Sequence, residues 1–561
     1  MSWILQNYLP AGEIVRDLIF LSCLILVCFV PRFAGGIFGR IERFGSNLAE
    51  QKLLCIFLLA IASIAIRLSL LWLIPIPYPV IHDEFSYLLG GDTFAHSRLT
   101  NPPHPMSLYL DTIHVNQHPT YQSKYPPAQA AALAIGQFIG NPWFGVLLST
   151  AAMCGAVLWM LQGWFPPRWA LLGGTLVLLR LGIFSYWMNS YWGGSVAAIG
   201  GALVVGALPR LLRHWRMRDA LILGLGAVVL VNSRPFEGFF LCLPVFVVLV
   251  AKLRGPRRPS MKVRLSRVVV PICFVGVLGV SFMGYYNWRG TGSASLAPYM
   301  VNERTYFSTP SFVWQSVKPK LHYANPQFDK FYNDWCRLLV SNQRITGISS
   351  AVTVIMSTIG KSVFFFLWPE LCLPLLALPC MLRDRKVRFL LIQMAICSFA
   401  IFLPSWFEPH YLAPLTATGF ALLLQGMRHM RLWQFRGRPV GMGLTRMVVL
   451  FAVVLAPFIQ QGAITRFDKP DRIAYRVHFI DQLDRTPGKH LIIVRYTPQH
   501  SVLREWVYNG ADIDSSKVVW AREIPGVSLQ PLLDYFHDRQ VWLVEPDSAP
   551  PRLSPYAAAT P

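Results

Sequence analysis

The run His82-Asp83-Glu84-Phe85-Ser86-Tyr87 sets two carboxylates side by side where the chain leaves an apolar segment. Ionised groups at that depth are costly unless they are paired, hydrated or used; a solvated loop start is the plain alternative. A carboxylate in use here would act as a general base. The loop continues through Asn101-Pro102-Pro103-His104-Pro105 and closes at Lys124-Tyr125-Pro126-Pro127-Ala128. Prolines fix φ and suit a pre-shaped loop or a first helical turn, which would give such a base a rigid mount. His82, His104, His114 and His118 with Asp83, Glu84 and Asp111 are ligand types for a divalent metal, but their spacing matches no zinc signature.

The elements that must hold these groups are membrane spans. The chain has 561 residues, 54% of them hydrophobic and only 14% charged, which is far too apolar for an ordinary soluble enzyme. Apolar stretches near the 20 or so residues that cross a bilayer recur from Leu18 almost to Gln461. Spans are expected near 16–33, 53–75, 142–163, 169–187, 193–209, 219–232, 236–251, 268–285, 362–381, 389–406, 411–427 and 447–462. The stretch from Leu18 lacks a basic n-region and a small-residue cleavage site, so it reads as a retained span.

A net charge of +23 raises the question of nucleic acid, which the distribution answers. The basic residues sit in alternate short loops: Arg32, Arg40 and Arg43; Arg210 to Arg218; Lys252 to Arg267; Arg383 to Arg388; and Arg428 to Arg446. By the positive-inside rule these loops face the cytoplasm, so the intervening loops and both termini face outside. The charge is a topology signal, and nucleic acid is not an expected partner. The ten cysteines lie in or beside apolar spans, Cys336 excepted, and imply no disulfide framework.

Three long segments then lie outside: Pro77 to Pro127, Asn287 to about Gly360, and Gly462 to Pro561. Long structured loops tend to carry function. The last reads as a small α/β domain, with strands at Leu491 to Tyr496, Lys517 to Arg522 and Val541 to Glu545, and a helix over Ser501 to Tyr508 ended by Gly510. It has no glycine-rich phosphate loop, and an accessory lid or docking role is the modest reading.

Asp83, Glu84 and Tyr87 in the first large outside loop, followed by Lys124-Tyr125-Pro126-Pro127, resemble the GT-C superfamily, specifically bacterial relatives of protein O-mannosyltransferases and the lipid A aminoarabinose transferase, where a His-Pro-Pro or Lys-Pro-Pro element stands. A third similarity is Val231-Asn232-Ser233-Arg234-Pro235-Phe236-Glu237-Gly238, where relatives have a basic turn between helices. A fourth is Glu408-Pro409-His410-Tyr411-Leu412-Ala413-Pro414, which resembles a Tyr-Leu-x-Pro element near the start of a late helix. The resemblance covers roughly residues 53 to 425, and the order of the four motifs carries it.

The resemblance implies a multi-spanning α-helical, GT-C-like membrane protein of about 12 transmembrane helices. The membrane domain would take residues 1–461, with outside loops at 77–127 and 287–360, and the outside α/β domain residues 462–561. It further implies a bacterial inner membrane and an inverting transfer of a sugar from a polyprenyl phosphate donor to an acceptor glycan, lipid or protein. By position Asp83 is the implied base and Glu84 the second candidate. A lipid phosphate can leave without a general acid, so one carboxylate suffices together with cations for the phosphate.

Arg234 is the first such cation, since guanidinium binds phosphate oxygens bidentately; an arginine snorkelling to headgroups is the alternative. Lys124 is the second. His410 and Tyr411 are either phosphate donors, sugar contacts or packing anchors. Tyr87, His104, Asn189 and Glu237 complete the expected lining. No cofactor is required. Some relatives hold a metal near the acidic pair, which leaves a divalent ion at His82, Asp83 and Glu84 as an option. Where some relatives carry a further carboxylate, Ser185 to Ser195 here has none; Tyr186, Trp187, Tyr191 and Trp192 suit sugar stacking and an interfacial belt equally.

A transporter or flippase would also bury ionisable groups such as Arg67, Arg180 and Glu370. No repeated halves are visible, and the large asymmetric first loop favours an enzyme. A membrane scaffold would not need a dozen helices.

Overall fold

The computed structural model describes residues 11–256, 258–459 and 472–556. The expected outside N-terminus, the last residues of the segment expected at 447–462 and the start of the C-terminal region at Gly462 lie outside the described residues.

A backbone in hydrocarbon must satisfy its own N–H and C=O groups, so the apolar runs become helices. The first are α1 (Ala11–Phe29), α2 (Gly35–Ala49) and α3 (Lys52–Ser69). The loop that follows carries α4 (His82–Ala95) and α5 (Pro127–Phe138). Then come α6 (Trp143–Trp164), α7 (Pro167–Val177), α8 (Gly194–His214), α9 (Met217–Val231), α10 (Pro235–Arg254) and the long α11 (Met261–Thr291). Beyond α12 (Pro298–Tyr306) lie α13 (Ile348–Phe366), α14 (Leu378–Arg383), α15 (Arg388–Ala400), α16 (Thr416–Arg431) and α17 (Val440–Ile459). Among the described residues α3, α6, α8, α10, α11 and α13 are long and apolar enough to cross a membrane; Leu18–Phe29, Arg388–Ala400 and Val440–Val454 are shorter apolar helices.

Small residues let the central helices approach closely. A Cβ on Gly201 of α8 would fall 1.9 Å from the Pro414 carbonyl, so this glycine seats the 409–415 turn against the core. A Cβ on Gly91 of α4 would meet Leu133 of α5 at 2.8 Å, which shows how closely those two helices pack.

Two features depart from the expectation for the membrane part. The amphipathic α2 was read as a basic loop. Its Glu42 takes both Arg431 and Arg446, while Ile37, Ile41 and Phe44 face away from the protein. The span expected at 362–381 is displaced, because α13 begins at Ile348 and breaks at Trp368, whose φ is 62°. Pro369 disfavours helical geometry in the residue before it. Arg180 caps the break: its Nη2 donates to the Phe364 carbonyl at 2.6 Å and to the Phe365 carbonyl, and its guanidinium lies 4.5 Å over the Trp368 ring.

The C-terminal region pairs α18 (Arg472–Arg485) with strands β1 (Lys489–Val494), β2 (Val518–Arg522), β3 (Arg539–Glu545) and β4 (Arg552–Pro555). The sheet order is β2-β1-β3-β4, with β1 parallel to β2 and β3, and β4 antiparallel to β3. Side chains alternate across a strand. Ile492, Val494 and Trp520 therefore pack under Phe479 and Leu483 of α18. Leu491, Ile493, Val519 and Ala521 face the other way and form one core with Leu89, Tyr109, Leu110, Val115 and Tyr121 of the first loop.

The helix expected over Ser501 to Tyr508 does not form. Glu505 takes the amide hydrogens of Trp506 and Val507 at 3.0 and 2.8 Å, the Tyr496 hydroxyl at 2.6 Å and Arg522 Nη2 at 2.6 Å. A side chain that satisfies neighbouring backbone groups in this way replaces the helical ladder.

Arg180→Ala removes one donor from helix-end carbonyls in an apolar setting. It should lower the thermal unfolding midpoint in detergent by the equivalent of about 1–3 kcal/mol, with Arg180→Lys in between; an unchanged midpoint would show that the break does not depend on the guanidinium.

Candidate functional site

The start of α4 is fixed before its chemistry begins. Arg67, fully buried at the end of α3, donates to the Ile74 and Pro75 carbonyls at 2.9 and 3.1 Å and to Asn189 Oδ1 at 3.0 Å. Glu84 then accepts from the Val80 and Ile81 amides at 2.8 and 3.3 Å through one oxygen, and from the Tyr191 amide at 3.1 Å through the other. Burial pushes the Glu84 carboxyl up to about 7, against the pull of these amides and with a further push from Asp83. Glu84 thus clamps the helix start to the 185–193 turn.

Its neighbour Asp83 is left available. The Asp83 side chain is 34% exposed, and its Oδ1 accepts from the Tyr125 hydroxyl. His114 Nε2 stands 4.0 Å from Oδ2. Burial, reinforced by Lys124, holds the His114 imidazole well below its ordinary range; burial also lowers His82, against the attraction of Glu505. Both are therefore neutral, and the positive charge beside Asp83 comes from elsewhere.

Lys124 supplies part of it. The buried ammonium sits over the rings of Phe307, Tyr299 and Tyr125 at 4.8, 5.1 and 5.3 Å. Burial lowers its pKa, and Glu303 of α12 and Asp83 oppose that shift. Rings around an ammonium replace part of its lost hydration. Tyr125 in turn stacks on Tyr87, with centroids 4.4 Å apart.

The other cation is Arg234, at the N-terminus of α10. It lies 4.6 Å over the Tyr411 ring and 3.9 Å from Glu237, within electrostatic reach of Tyr87 and Tyr125. Glu237 and Tyr411 border a narrow apolar cleft, lined by Phe240, Cys397, Ile401 and Leu412, whose cavity volume is only about 10 Å³. His410 packs beside it against Trp192 and Tyr186, at 4.8 and 6.2 Å.

Of the residues singled out in the sequence, Asp83, Tyr87, Lys124, Arg234, Glu237 and Tyr411 come together, with His410 alongside. His104 and Asn189 do not join them. His104 accepts from the Met106 amide through Nδ1, so its Nε2 donates to Asp514 at 3.1 Å; its ring stacks on Phe536. Asn189 spends its amide on Arg67 and on the Ile183 and Ser185 carbonyls. Tyr125, Tyr299 and Glu303 are not among the expected site residues, and His114 is expected only as a ligand type for a metal. Only Tyr125 carried a signal, its place within Lys-Tyr-Pro-Pro.

The side chains near Asp83 do not fit a metal. Both oxygens of Glu84 are filled by amides, and His82 turns its Nε2 to the Val502 carbonyl. Among the described residues no three His, Cys, Asp or Glu are arranged to hold an ion.

No protein-family model and no curated protein matches the chain. Among solved structures, the Archaeoglobus fulgidus oligosaccharyltransferase tethered with an acceptor peptide aligns at 11% identity and a TM-score of 0.43, over 80% of this chain; the chain spans 62% of that enzyme. The same enzyme in complex with Zn and sulfate aligns at 12% and 0.47, over 88% of this chain and 67% of that one. ArnT from Cupriavidus metallidurans bound to undecaprenyl phosphate aligns at 13% and 0.48, over 86% and 92%.

Two outcomes follow from the division of labour between the carboxylates. Glu84→Gln keeps the volume but turns an NH2 toward an amide hydrogen, and should cost about 1–3 kcal/mol of stability; Asp83→Asn should stay within about 0.5 kcal/mol of the parent. Thermal unfolding of both variants in one detergent checks this, and equal losses would refute it.

The buried Asp111 adds a pH signature. Burial raises its carboxyl to about 7, against Arg522, which donates to its backbone carbonyl at 2.8 Å. Below the unfolded-state pKa both states are protonated and its contribution is complete; it is lost as pH rises toward 7 because only the unfolded state ionises. The unfolding midpoint of Asp111→Asn should therefore gain on the parent between about pH 4.5 and 7.5; a constant difference across that range would contradict the assignment.

Proposed function

We propose that the chain is an inverting glycosyltransferase that moves a sugar from a polyprenyl phosphate to an acceptor hydroxyl on the outer face of a bacterial inner membrane, within a bundle of about twelve spans. The observation that carries the reading is the available Asp83 carboxylate, held by Tyr125, on a continuous wall of Tyr87, Arg234 and Tyr411 that ends in an apolar cleft. The order of the four sequence motifs supports the same assignment.

In this reading the prenyl chain enters laterally between helices, and the donor phosphate takes hydrogen bonds from Arg234 with the Lys124 charge close by. Asp83 accepts the proton of the acceptor hydroxyl as its oxygen bonds to the anomeric carbon. The bond from that carbon to the phosphate oxygen breaks, and the phosphate leaves with the electron pair. Its charge is met by the two cations, so no group need protonate it. Glu84 remains with its amides throughout.

The test is transfer from a panel of radiolabelled undecaprenyl-phosphate sugars in proteoliposomes. Asp83→Asn should lose about 10²–10⁴-fold in transfer, the range of general-base catalysis, and still bind donor, whereas Arg234→Ala should weaken donor binding. Full transfer by Asp83→Asn would remove the base assignment, and no transfer by the parent with any donor would favour a flippase.

A further inference from the structure

Five side chains of α4, His82, Phe85, Leu89, Asp92 and His96 just past its end, recur at spacings of three and four and so share one face. The tail runs along that face from Val502 to Asp512. His82 Nε2 meets the Val502 carbonyl, and Phe85 lies 4.7 Å from the Tyr508 ring. Leu89 joins Leu491 and Ala511 in one core. Asp92 Oδ2 accepts from the Ala511 amide at 2.6 Å, and His96 Nε2 stands 3.5 Å from Asp512. The segment has no helix or strand of its own and is held in shape by Glu505 and Arg522, a fully buried ion pair.

We infer that the tail segment Val502 to Asp512 is a positioning element for the reaction: it sets the rotation of α4 about its axis, and through it the direction of the Asp83 carboxylate. The inference rests on the function proposed above. Asp83 is the residue after the first docked side chain, about 100° around the helix from it. A base displaced by about 1 Å can lose on the order of 100-fold in rate. Because the tail holds α4 along its whole length, Asp92 can influence Asp83 from about 14 Å along the axis without touching substrate.

Asp92→Ala removes the acceptor for the Ala511 amide, and Asp92→Asn restores one. Gly510→Ala is an independent wedge from the tail side, since a Cβ there would fall 2.7 Å from Asp92 Oδ2. Each variant of the full chain is compared in two assays: hydrogen exchange of residues 82–86, and sugar transfer with kcat and donor KM resolved.

Asp92→Ala and Gly510→Ala should speed exchange in that first turn and lower kcat at least tenfold, with donor KM within twofold. Asp92→Asn should recover most of kcat. An unchanged kcat in both variants of an active protein, or a loss confined to donor KM, overturns the inference. An inactive parent whose exchange still rises in the variants leaves the clamp in place and removes the proposed function instead.

Discussion

A carboxylate sealed away from water must find donors, and the three amide hydrogens that Glu84 finds belong to two different parts of the chain. Val80 and Ile81 lead into its own helix, and Tyr191 lies in the turn before α8. The bonds therefore lock α4 onto the helix bundle. Arg67 secures the same junction from below through Ile74, Pro75 and Asn189. With the junction carried by these two ions, Asp83 is spared structural work beyond one hydrogen bond.

The charge pattern around Asp83 follows from burial. Imidazoles of His82 and His114 are driven neutral because each is buried and neither is given an ionised acceptor close enough to offset that cost. Lys124 and Arg234 instead lie against aromatic faces. Cations held on rings keep their hydrogen-bonding capacity largely unspent, which suits them to an incoming anion.

Hydropathy and loop charge made the membrane helices legible because both are local properties of sequence. The acidic pair, Lys124, Arg234 and Tyr411 were legible because each stands beside an end of an apolar run, where several ends must converge. His104 looked like lining because it shares the loop of the acidic pair, and Asn189 because it follows an apolar run, but their partners are Asp514 and Arg67, hundreds of positions away for the first and more than a hundred for the second. The Ser501 to Tyr508 segment kept a helical pattern of apolar residues, yet that pattern serves two surfaces: Trp506 and Val507 face the sheet with Phe479, whereas Tyr508 meets Phe85. Nothing local marks a segment that serves two surfaces, nor could spacing alone reveal that Glu505 would occupy the amides a helix needs.

The sheet face shared with the first loop has a consequence for synthesis. Leu89, Tyr109, Leu110, Val115 and Tyr121 are completed as a core only by residues from Leu491 onward, which leave the ribosome about 400 residues later. At about 5–20 residues per second the loop waits about 20–80 s with an apolar surface uncovered. A chain cut short after α17 and before Leu491 keeps its helices but leaves this face of the loop without the residues that complete its core.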